Sequence, residues 1–277
     1  MIWNGAPCGF DRDGKPISYN AADDGSGNAP SLILGAVGTG KTVNVCNELL
    51  DEPGEKSFVL TDFKAEIYRK TSKYRRHVSD VKVICPIPME GIVSDKWNPL
   101  NDLDPSDAVT FGDDSQGKAQ ASIKTMPNEH NPFFPDAARS AITGAIMDEV
   151  IQADAEDRVR SLFSIRVLFS LEAERLRPII LRMVESQNPD IAPRVAKFLT
   201  SNREIEAIKS TIETQMSWTT EPMRNDMLTR GGVDFRDCRK RPMTIYICLP
   251  VSELQSKSAW LRLLFSSALR AIYREGI

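Results

Sequence analysis

The chain has 277 residues, a formal net charge of −3, 41% hydrophobic residues and 26% charged residues. This length suits one large domain or two smaller ones with a substantial core, and the slightly acidic balance excludes a global field that would attract nucleic acid. Five scattered cysteines without a CxxC pair, and only two histidines, argue against a disulfide framework and a zinc site. With no signal peptide and no run of about 20 apolar residues, the sequence predicts a soluble cytosolic chain.

The first third of the sequence alternates short apolar runs with helical patterns. Residues 1–30 are rich in turn-forming residues and hold at most a short hairpin around Asp13 and Gly14. The patterns predict strands at 31–35, 57–62 and 81–86, with helices at 42–53 and 63–77 between them. This βαβαβ order predicts a parallel sheet covered by helices.

A helical period dominates from about residue 132 to 212, where strand signals are absent. Apolar stripes at three- and four-residue spacing predict five helices, at 137–152, 159–171, 176–186, 191–201 and 205–220. A strand pattern returns at 241–250, and an amphipathic helix is predicted at 256–277. The fold class predicted is therefore an α/β parallel sheet interrupted by an inserted all-α domain. Residues 1–105 and 226–277 form the α/β domain, and residues 106–225 form the insertion.

The segment GAVGTGKT at residues 35–42 matches the phosphate-binding pattern G-x-x-x-x-G-K-T. Its glycines let backbone N–H groups approach phosphates, and the helix that follows points its positive end at the anion. The ammonium of Lys41 is expected against the β- and γ-phosphates of ATP, and the hydroxyl of Thr42 is expected on Mg²⁺. The predicted nucleotide-binding residues are Gly35, Ala36, Val37, Gly38, Thr39, Gly40, Lys41, Thr42 and Val43.

Asp62 ends the predicted strand 57–62 and admits two interpretations. It could hold Mg²⁺ through a water molecule, as the acidic residue that completes the metal site. It could instead be a helix-capping or strand-end residue near the nucleotide, with the true acidic strand elsewhere. The residue pattern alone does not separate the two.

Residues 62–77 carry six cations, Lys64, Arg69, Lys70, Lys73, Arg75 and Arg76, against two acids, Asp62 and Glu66. This local charge of +4 in an acidic chain fits a nucleic-acid surface or an arginine that acts across a subunit interface. Such runs are also typical of a solvated helix face.

In order along the chain, these motifs resemble those of the type IV secretion coupling proteins, the TraG/TraD-type ATPases of conjugative DNA transfer. The resemblance rests on GAVGTGKT, the D-x-K-x-E element in FVLTDFKAEIYRK, VICPIP, WNPL, NPFFPDAARSAITGAI, and the closing pair GGVDFRDCRKRPMTIYICLP and SAWLRLLFSSALRAI. It covers nearly the whole chain.

The resemblance implies a RecA-like P-loop NTPase domain with helices on both faces of its sheet and an inserted all-α domain. It also implies ATP and Mg²⁺ as cofactors and a homo-hexamer at the cytoplasmic face of the bacterial inner membrane. The implied partners are a DNA–relaxase complex or effector proteins, together with other components of the secretion system.

Two departures limit what the resemblance implies. Family members usually begin with transmembrane helices, and no such segment is present in the sequence. The family's acidic strand follows the helix that here is 256–277, so the resemblance implies a C-terminally truncated core. It then places Asp62, with Lys64 and Glu66, in the D-x-K-x-E element rather than the metal site. The apolar face of that last helix (Trp260, Leu261, Leu263, Leu264 and Phe265) is expected to be partly exposed.

The function predicted is an ATP-binding coupling ATPase of a type IV secretion or conjugation system. Its catalytic candidates are Lys41, Asp62 and Glu66, and the correspondence extends more loosely to Arg139. The alternatives are a nucleotide-binding or adaptor fragment without turnover, and a different ring motor of the FtsK/HerA type.

Overall fold

A computed structural model describes residues 6–10, 13, 16–19, 40–124 and 133–274 of the chain. The strands are β1 (Ala6–Phe10), β2 (Pro16–Tyr19), β3 (Phe58–Thr61), β4 (Asp80–Ile84) and β5 (Met243–Ile247). The helices are α1 (Lys41–Asp51), α2 (Glu66–Val78), α3 (Phe111–Ser122), α4 (Phe133–Ala155), α5 (Leu162–Phe169), α6 (Ala173–Val184), α7 (Ala192–Val195), α8 (Arg203–Gln215), α9 (Glu221–Met227), α10 (Asp237–Lys240) and α11 (Ser258–Arg274). Among these helices, none is long and apolar enough to cross a membrane.

A parallel sheet of three described strands, in the order β3–β5–β4, forms the α/β part. Phe58 lies opposite Thr244 on one side of β5, and Asp80 lies opposite Met243 on the other. The predicted parallel pairing is confirmed, and so is the hairpin at Asp13, where β1 pairs antiparallel with β2. The strand predicted at 31–35 lies outside the described residues.

The central strand β5 is buried along its whole length and separates two apolar clusters. Tyr246 and Cys248 point to the cluster that includes Leu49 of α1. Ile245 and Ile247 point to the larger cluster, which continues through α11 into α4 and the other helices. Alternate residues of one strand therefore anchor helices on opposite faces of the sheet.

The helical region confirms all five helices predicted from apolar stripes, as α4, α5, α6, the pair of α7 with a 3₁₀ turn at Ala196–Leu199, and α8. The sequence pattern missed α3, α9 and the short α10. The segment that forms α3 has no apolar stripe, because Asp, Ser, Gly and Gln fill most of its positions. It is helical because it packs between α4 and α11.

The prediction that the last helix exposes part of its apolar face is wrong for Trp260, Leu263 and Leu264, and only Leu261 and Phe265 are half-buried. Trp260, Leu263 and Leu264 are buried, and Leu261 and Phe265 pack against the same cluster. The missed helix α3 supplies much of this cover. Several polar contacts fix α3 on α11, including the Nε of Arg262, which donates to the Ala121 carbonyl at 3.2 Å.

A buried ion pair joins α1, α2 and the sheet. The guanidinium of Arg75 is fully buried and lies 2.6 Å from the carboxylate of Glu52, just after α1. It also donates to Thr244 of β5 at 3.0 Å and lies 5.1 Å from the ring centroid of Phe58 in β3. Burial alone would raise the pKa of Glu52, but hydrogen bonds from Arg75 and from three backbone N–H groups hold it below its usual value.

Replacing Arg75 with Met should lower the free energy of unfolding by about 3 to 5 kcal/mol, because it leaves the Glu52 carboxylate buried without its cation. Urea denaturation at neutral pH measures the change. Arg76→Met, one residue along on the exposed side of α2, is the matched control and should cost less than about 1 kcal/mol. Equal losses in the two variants would contradict a structural role for the buried pair.

Candidate functional site

The described part of the phosphate loop is its C-terminal end, where helix α1 begins. Gly40 has a φ of 86°, the left-handed conformation that glycine adopts without strain, and Lys41 is the first residue of α1. The N–H of Asn44 donates to the Gly40 carbonyl at 3.0 Å, which starts the helical hydrogen-bond pattern here. The site residues Gly35, Ala36, Val37, Gly38 and Thr39 lie outside the described residues.

A side chain added at Gly40 would meet no atom within 4 Å in the described structure. The requirement for glycine here is therefore conformational rather than steric. Lys41 and Val43 are exposed at the start of the helix, and Thr42 is half-buried. Four backbone N–H groups at a helix start lack intrahelical acceptors, so this end of α1 has the polarity that an anion requires.

Asp62 lies at the carboxyl end of β3 and is buried. Its own N–H donates to the Ile247 carbonyl at 2.8 Å, which continues the pairing with β5. Its two carboxylate oxygens accept the backbone N–H groups of Glu66, at 3.0 Å, and Tyr68, at 2.7 Å. These hydrogen bonds cap the start of α2, as the second interpretation of Asp62 describes. A role for Asp62 or Glu66 at a metal or in catalysis stays a prediction.

The other two residues of the D-x-K-x-E element are exposed beside this cap. Glu66 accepts a hydrogen bond from Lys70 at 2.6 Å, and this bond, followed by the charge of Lys70, lowers the pKa of Glu66. Lys64 is exposed just before α2. Charges of this element also act on the pKa of the Cys46 thiol in α1. Burial raises this pKa, Lys70 opposes the rise, and Glu66 and Asp62 add to it. Helix α1 packs against α2, which carries Glu66 and Lys70.

Sequence reasoning did not identify Asp226, a buried carboxyl of α9 near the end of β4. Ser94 donates to one of its oxygens, and the Ser94 hydroxyl also accepts the N–H of Cys85 at 3.0 Å. The other oxygen has no hydrogen-bond partner in the described structure. Burial raises the pKa of Asp226 to about 6, against the hydrogen bond from Ser94 and the charge of Lys96. Nothing in the local sequence distinguishes this residue from a surface acid.

The WNPL motif (residues 97–100) and the GGVDF motif (residues 231–235) lie next to each other, and contacts there join the loop after β4 to the segment before β5. The side-chain amide of Asn101 donates to the Thr229 carbonyl at 3.0 Å, and the N–H of Val233 donates to the Lys96 carbonyl at 2.9 Å. Gly232 has a φ of 98°, and a Cβ there would lie 2.6 Å from that same carbonyl oxygen. Trp97 is buried at this junction, with ring centroids 6.0 Å from Phe235 and 6.4 Å from Trp260.

The basic run at 62–77 divides between the two sides of α2. Arg75 is buried in the ion pair with Glu52, so one of the six cations cannot face a partner. The remaining five are exposed, namely Lys64, Arg69, Lys70, Lys73 and Arg76. Arg139, the loosest of the proposed correspondences, donates from Nε to the Ile123 carbonyl at 3.1 Å and so joins the start of α4 to the end of α3.

The described residues hold no group of three or more His, Cys, Asp and Glu side chains that could bind a metal. The four described cysteines are free thiols. The Thr42 hydroxyl, half-buried in the first turn of α1, is an oxygen ligand that a divalent cation at this helix start could use. Such an oxygen ligand fits Mg²⁺, which usually keeps several waters and binds substrate phosphates.

Comparison with known proteins decides the family. The family model described as type IV secretory system conjugative DNA transfer matches residues 7–276, nearly the whole chain. The chain belongs to this family. No curated protein sequence matches the chain.

The conjugative-transfer fold is also visible in a solved structure. The chain is similar to a bacterial conjugative coupling protein, TrwBdeltaN70, in an unbound monoclinic form, with a TM-score of 0.61 and 12% sequence identity. The match covers 86% of this chain but 49% of that protein, so this conjugative-transfer chain spans about half of its length. At this identity the similarity shows a shared α/β fold with a small parallel sheet and many helices.

Replacing Asp226 with Asn should change how the stability of the protein depends on pH. A carboxyl whose pKa is raised to about 6 by folding stabilises the protein below its unfolded pKa, near 4, and loses that contribution as the pH rises through 6. From about pH 4 to pH 8, the wild type should therefore lose up to about 3 kcal/mol of unfolding free energy relative to Asp226→Asn.

Urea denaturation across this pH range measures the difference between the two proteins. Asp157→Asn is the control, because Asp157 is exposed and its profile should run parallel to that of the wild type. A wild-type profile parallel to that of Asp226→Asn would show that Asp226 ionises normally in the folded protein.

Proposed function

We propose that this chain is an ATP-binding coupling ATPase of a type IV secretion or conjugation system. In this role it recruits a DNA–relaxase complex or effector proteins and uses ATP to drive their transfer across the membrane. The proposal is supported by membership of the conjugative DNA transfer family and by the fold shared with TrwBdeltaN70. The observation that carries the nucleotide part is the sequence G-x-x-x-x-G-K-T with its last glycine in the left-handed conformation where α1 begins.

The nucleotide site of this proposal is built from residues 35–43 of the loop and the first turn of α1. Lys41 binds the β- and γ-phosphates and stabilises charge on the transferring phosphoryl group, which makes it the principal catalytic residue. Thr42 holds Mg²⁺ through its hydroxyl, and the metal, when bound, neutralises charge between the phosphates. Asp62 caps α2 through its carboxylate, and Glu66 and Lys64 are the exposed charged residues of the D-x-K-x-E element next to that cap.

The proposed architecture is a RecA-like domain formed by residues 1–105 and 226–277, with residues 106–225 as an inserted all-α domain. It is supported by the position of α3 to α9 between β4 and β5, without a strand among the described residues of that region. The large apolar cluster continues from the sheet into these helices, so the two parts share one packed interior. The insertion is the proposed contact surface for the transferred substrate.

The proposed assembly is a homo-hexamer at the cytoplasmic face of the bacterial inner membrane, in contact with other secretion components. The family supports this part of the proposal. The family match is to conjugative DNA transfer, and no observation supports the FtsK/HerA-type alternative.

One observation favours the second candidate function, a nucleotide-binding or adaptor role without turnover. Both carboxylate oxygens of Asp62 accept backbone hydrogen bonds, so this residue is already engaged as a helix cap. The two candidates share the nucleotide site and differ in whether ATP is hydrolysed.

Replacing Lys41 with Ala should weaken binding of ATP–Mg²⁺ by about 10- to 100-fold, because it removes one charge-assisted contact to phosphate. Calorimetric titration measures the affinity, and phosphate release measures turnover in the same samples. Lys56→Ala is the matched control, because Lys56 is an exposed cation just beyond the other end of α1.

Equal affinity of the wild type and Lys41→Ala would refute the nucleotide site. Turnover that requires Lys41 would exclude the adaptor candidate. Binding that requires Lys41, without turnover by the chain alone or with its secretion partners, would favour the adaptor.

A further inference from the structure

The exposed side of α2 is almost entirely cationic. Three of its exposed residues, Arg69, Lys73 and Arg76, follow one another at spacings of four and three and so lie along one line of the helix. At a rise of 1.5 Å per residue, this line is about 10 Å long. Beside it lie Lys70, His77 and one acid, Glu66, which is paired with Lys70. We call Arg69, Lys73 and Arg76 the basic stripe.

The charges of the basic stripe are not neutralised by the described part of the chain. Arg69 donates only to the backbone carbonyls of Lys64 and Glu90, at 3.0 and 2.9 Å. Arg76 donates to the Tyr68 hydroxyl at 3.2 Å and lies 5.8 Å from the centroid of its ring. Within the described residues, none of the three cations forms an ion pair with a carboxylate.

The two arginines are also held in place. Contacts with carbonyl groups and with Tyr68 restrict the guanidinium positions without cancelling their charge, so less side-chain entropy is lost when an anion binds. Tyr68 is itself fixed, because its ring packs edge-on against Tyr246 of β5 at 5.3 Å. The stripe is therefore a fixed row of positive charges on a helix that is anchored to the sheet.

We propose that the basic stripe is a binding surface for the phosphate backbone of nucleic acid, independent of base sequence. The three cations extend over about 10 Å, which is the axial length of about three phosphates of one DNA strand at 3.4 Å each. Contacts from such cations to phosphate oxygens position a nucleic acid without reading its bases.

The chemistry of the face favours nucleic acid over an anionic membrane. Membrane-surface helices insert an apolar side between lipids. The apolar side of α2 is already covered, with Ile67 and Tyr68 packed in the cluster next to β5 and Thr71 buried.

A protein partner fits the face less well than nucleic acid. Protein interfaces depend on apolar or aromatic residues at their centre. The exposed side of α2 presents charged groups and His77 instead. The inference does not depend on ATP turnover, although the DNA–relaxase complex of the proposed function would supply such a polyanion.

The test is the salt dependence of binding to a short fluorescein-labelled DNA duplex, followed by fluorescence anisotropy without nucleotide. The triple variant Arg69→Gln/Lys73→Gln/Arg76→Gln should lower the slope of log affinity against log salt by about 0.9 for each lost contact, or nearly 3 in all. Arg175→Gln/Arg203→Gln/Lys124→Gln is the matched control. It removes three exposed cations from other surfaces and should keep the wild-type slope.

A second variant guards against misfolding of the triple variant. Lys73 makes no hydrogen bond or ion pair with the described residues, so Lys73→Gln leaves the packing intact and should lower the slope by about 1. No DNA binding by the wild type, or equal slopes for the triple variant and the control, would overturn the inference. Stripe-dependent binding to anionic phosphatidylserine vesicles in place of DNA would also overturn it.

ATP titrations of the same variants separate this inference from the proposed function. If the stripe variants lose DNA affinity and keep Lys41-dependent ATP binding, both hold. If DNA binding depends on the stripe but ATP binding does not depend on Lys41, the proposed function fails alone. If ATP binding depends on Lys41 but the DNA slope does not change, the inference fails alone.

Discussion

The contact between Arg75 and Glu52 positions the rest of the α/β part. One buried guanidinium touches a carboxylate just after α1, a hydroxyl on β5 and an aromatic ring on β3. A buried charge is tolerated only with a partner and hydrogen bonds, so these three segments cannot separate without exposing or stranding it. The hydrogen bonding of the guanidinium is incomplete, since one nitrogen of Arg75 has no hydrogen-bond partner in the described structure. The ion pair thus fixes the relative positions of these segments, although removing its two charges from water costs free energy.

This anchoring has a consequence for the phosphate loop at the other end of α1. A helix is stiff over the 11 residues of α1, so fixing its C-terminal end also fixes the direction of its first turn. Asp62 acts similarly on α2, since its carboxylate binds the first backbone N–H groups while its own N–H is tied to β5. The starts of the two helices are therefore held at one edge of the sheet by interactions that lie below the site.

The sequence predicted the elements that carry a strong periodic signal. The five helices of the central region and the strands β3 and β4 follow from apolar spacing, because each must bury a stripe or a face. The pattern failed for α3, whose residues are polar or small and whose helical state comes from packing between α4 and α11. The expectation of exposure for Trp260 and its neighbours came from the strand implied beyond residue 277, and it did not take into account that α3 packs on α11.

Other features depend on contacts between residues far apart in the chain, which periodicity does not encode. The insertion of β5 between β3 and β4 is one, because a parallel sheet can take several strand orders. The state of Asp226 is another, because its raised pKa arises from burial beneath a loop more than 100 residues away. The phosphate-loop motif predicts a nucleotide site at Gly40, Lys41 and Thr42, and this stays a prediction, to which the structure adds the left-handed Gly40 where α1 begins. The sequence left two interpretations of Asp62, and only the hydrogen bonds of the structure show that its carboxylate caps α2.

In the sequence, residues 62–77 count as one basic run, but in helix α2 their cations lie on different sides of the helix. Side chains on the side of α2 that faces the sheet must be uncharged or paired with an opposite charge, and Arg75 meets this condition through Glu52. Residues on the opposite side carry no such constraint, and there Arg69, Lys73 and Arg76 have no carboxylate partner among the described residues, while Lys70 pairs with Glu66. A single helix can therefore combine a structural arginine with a polyanion surface, and the two roles separate only when exposure and pairing are known for each residue.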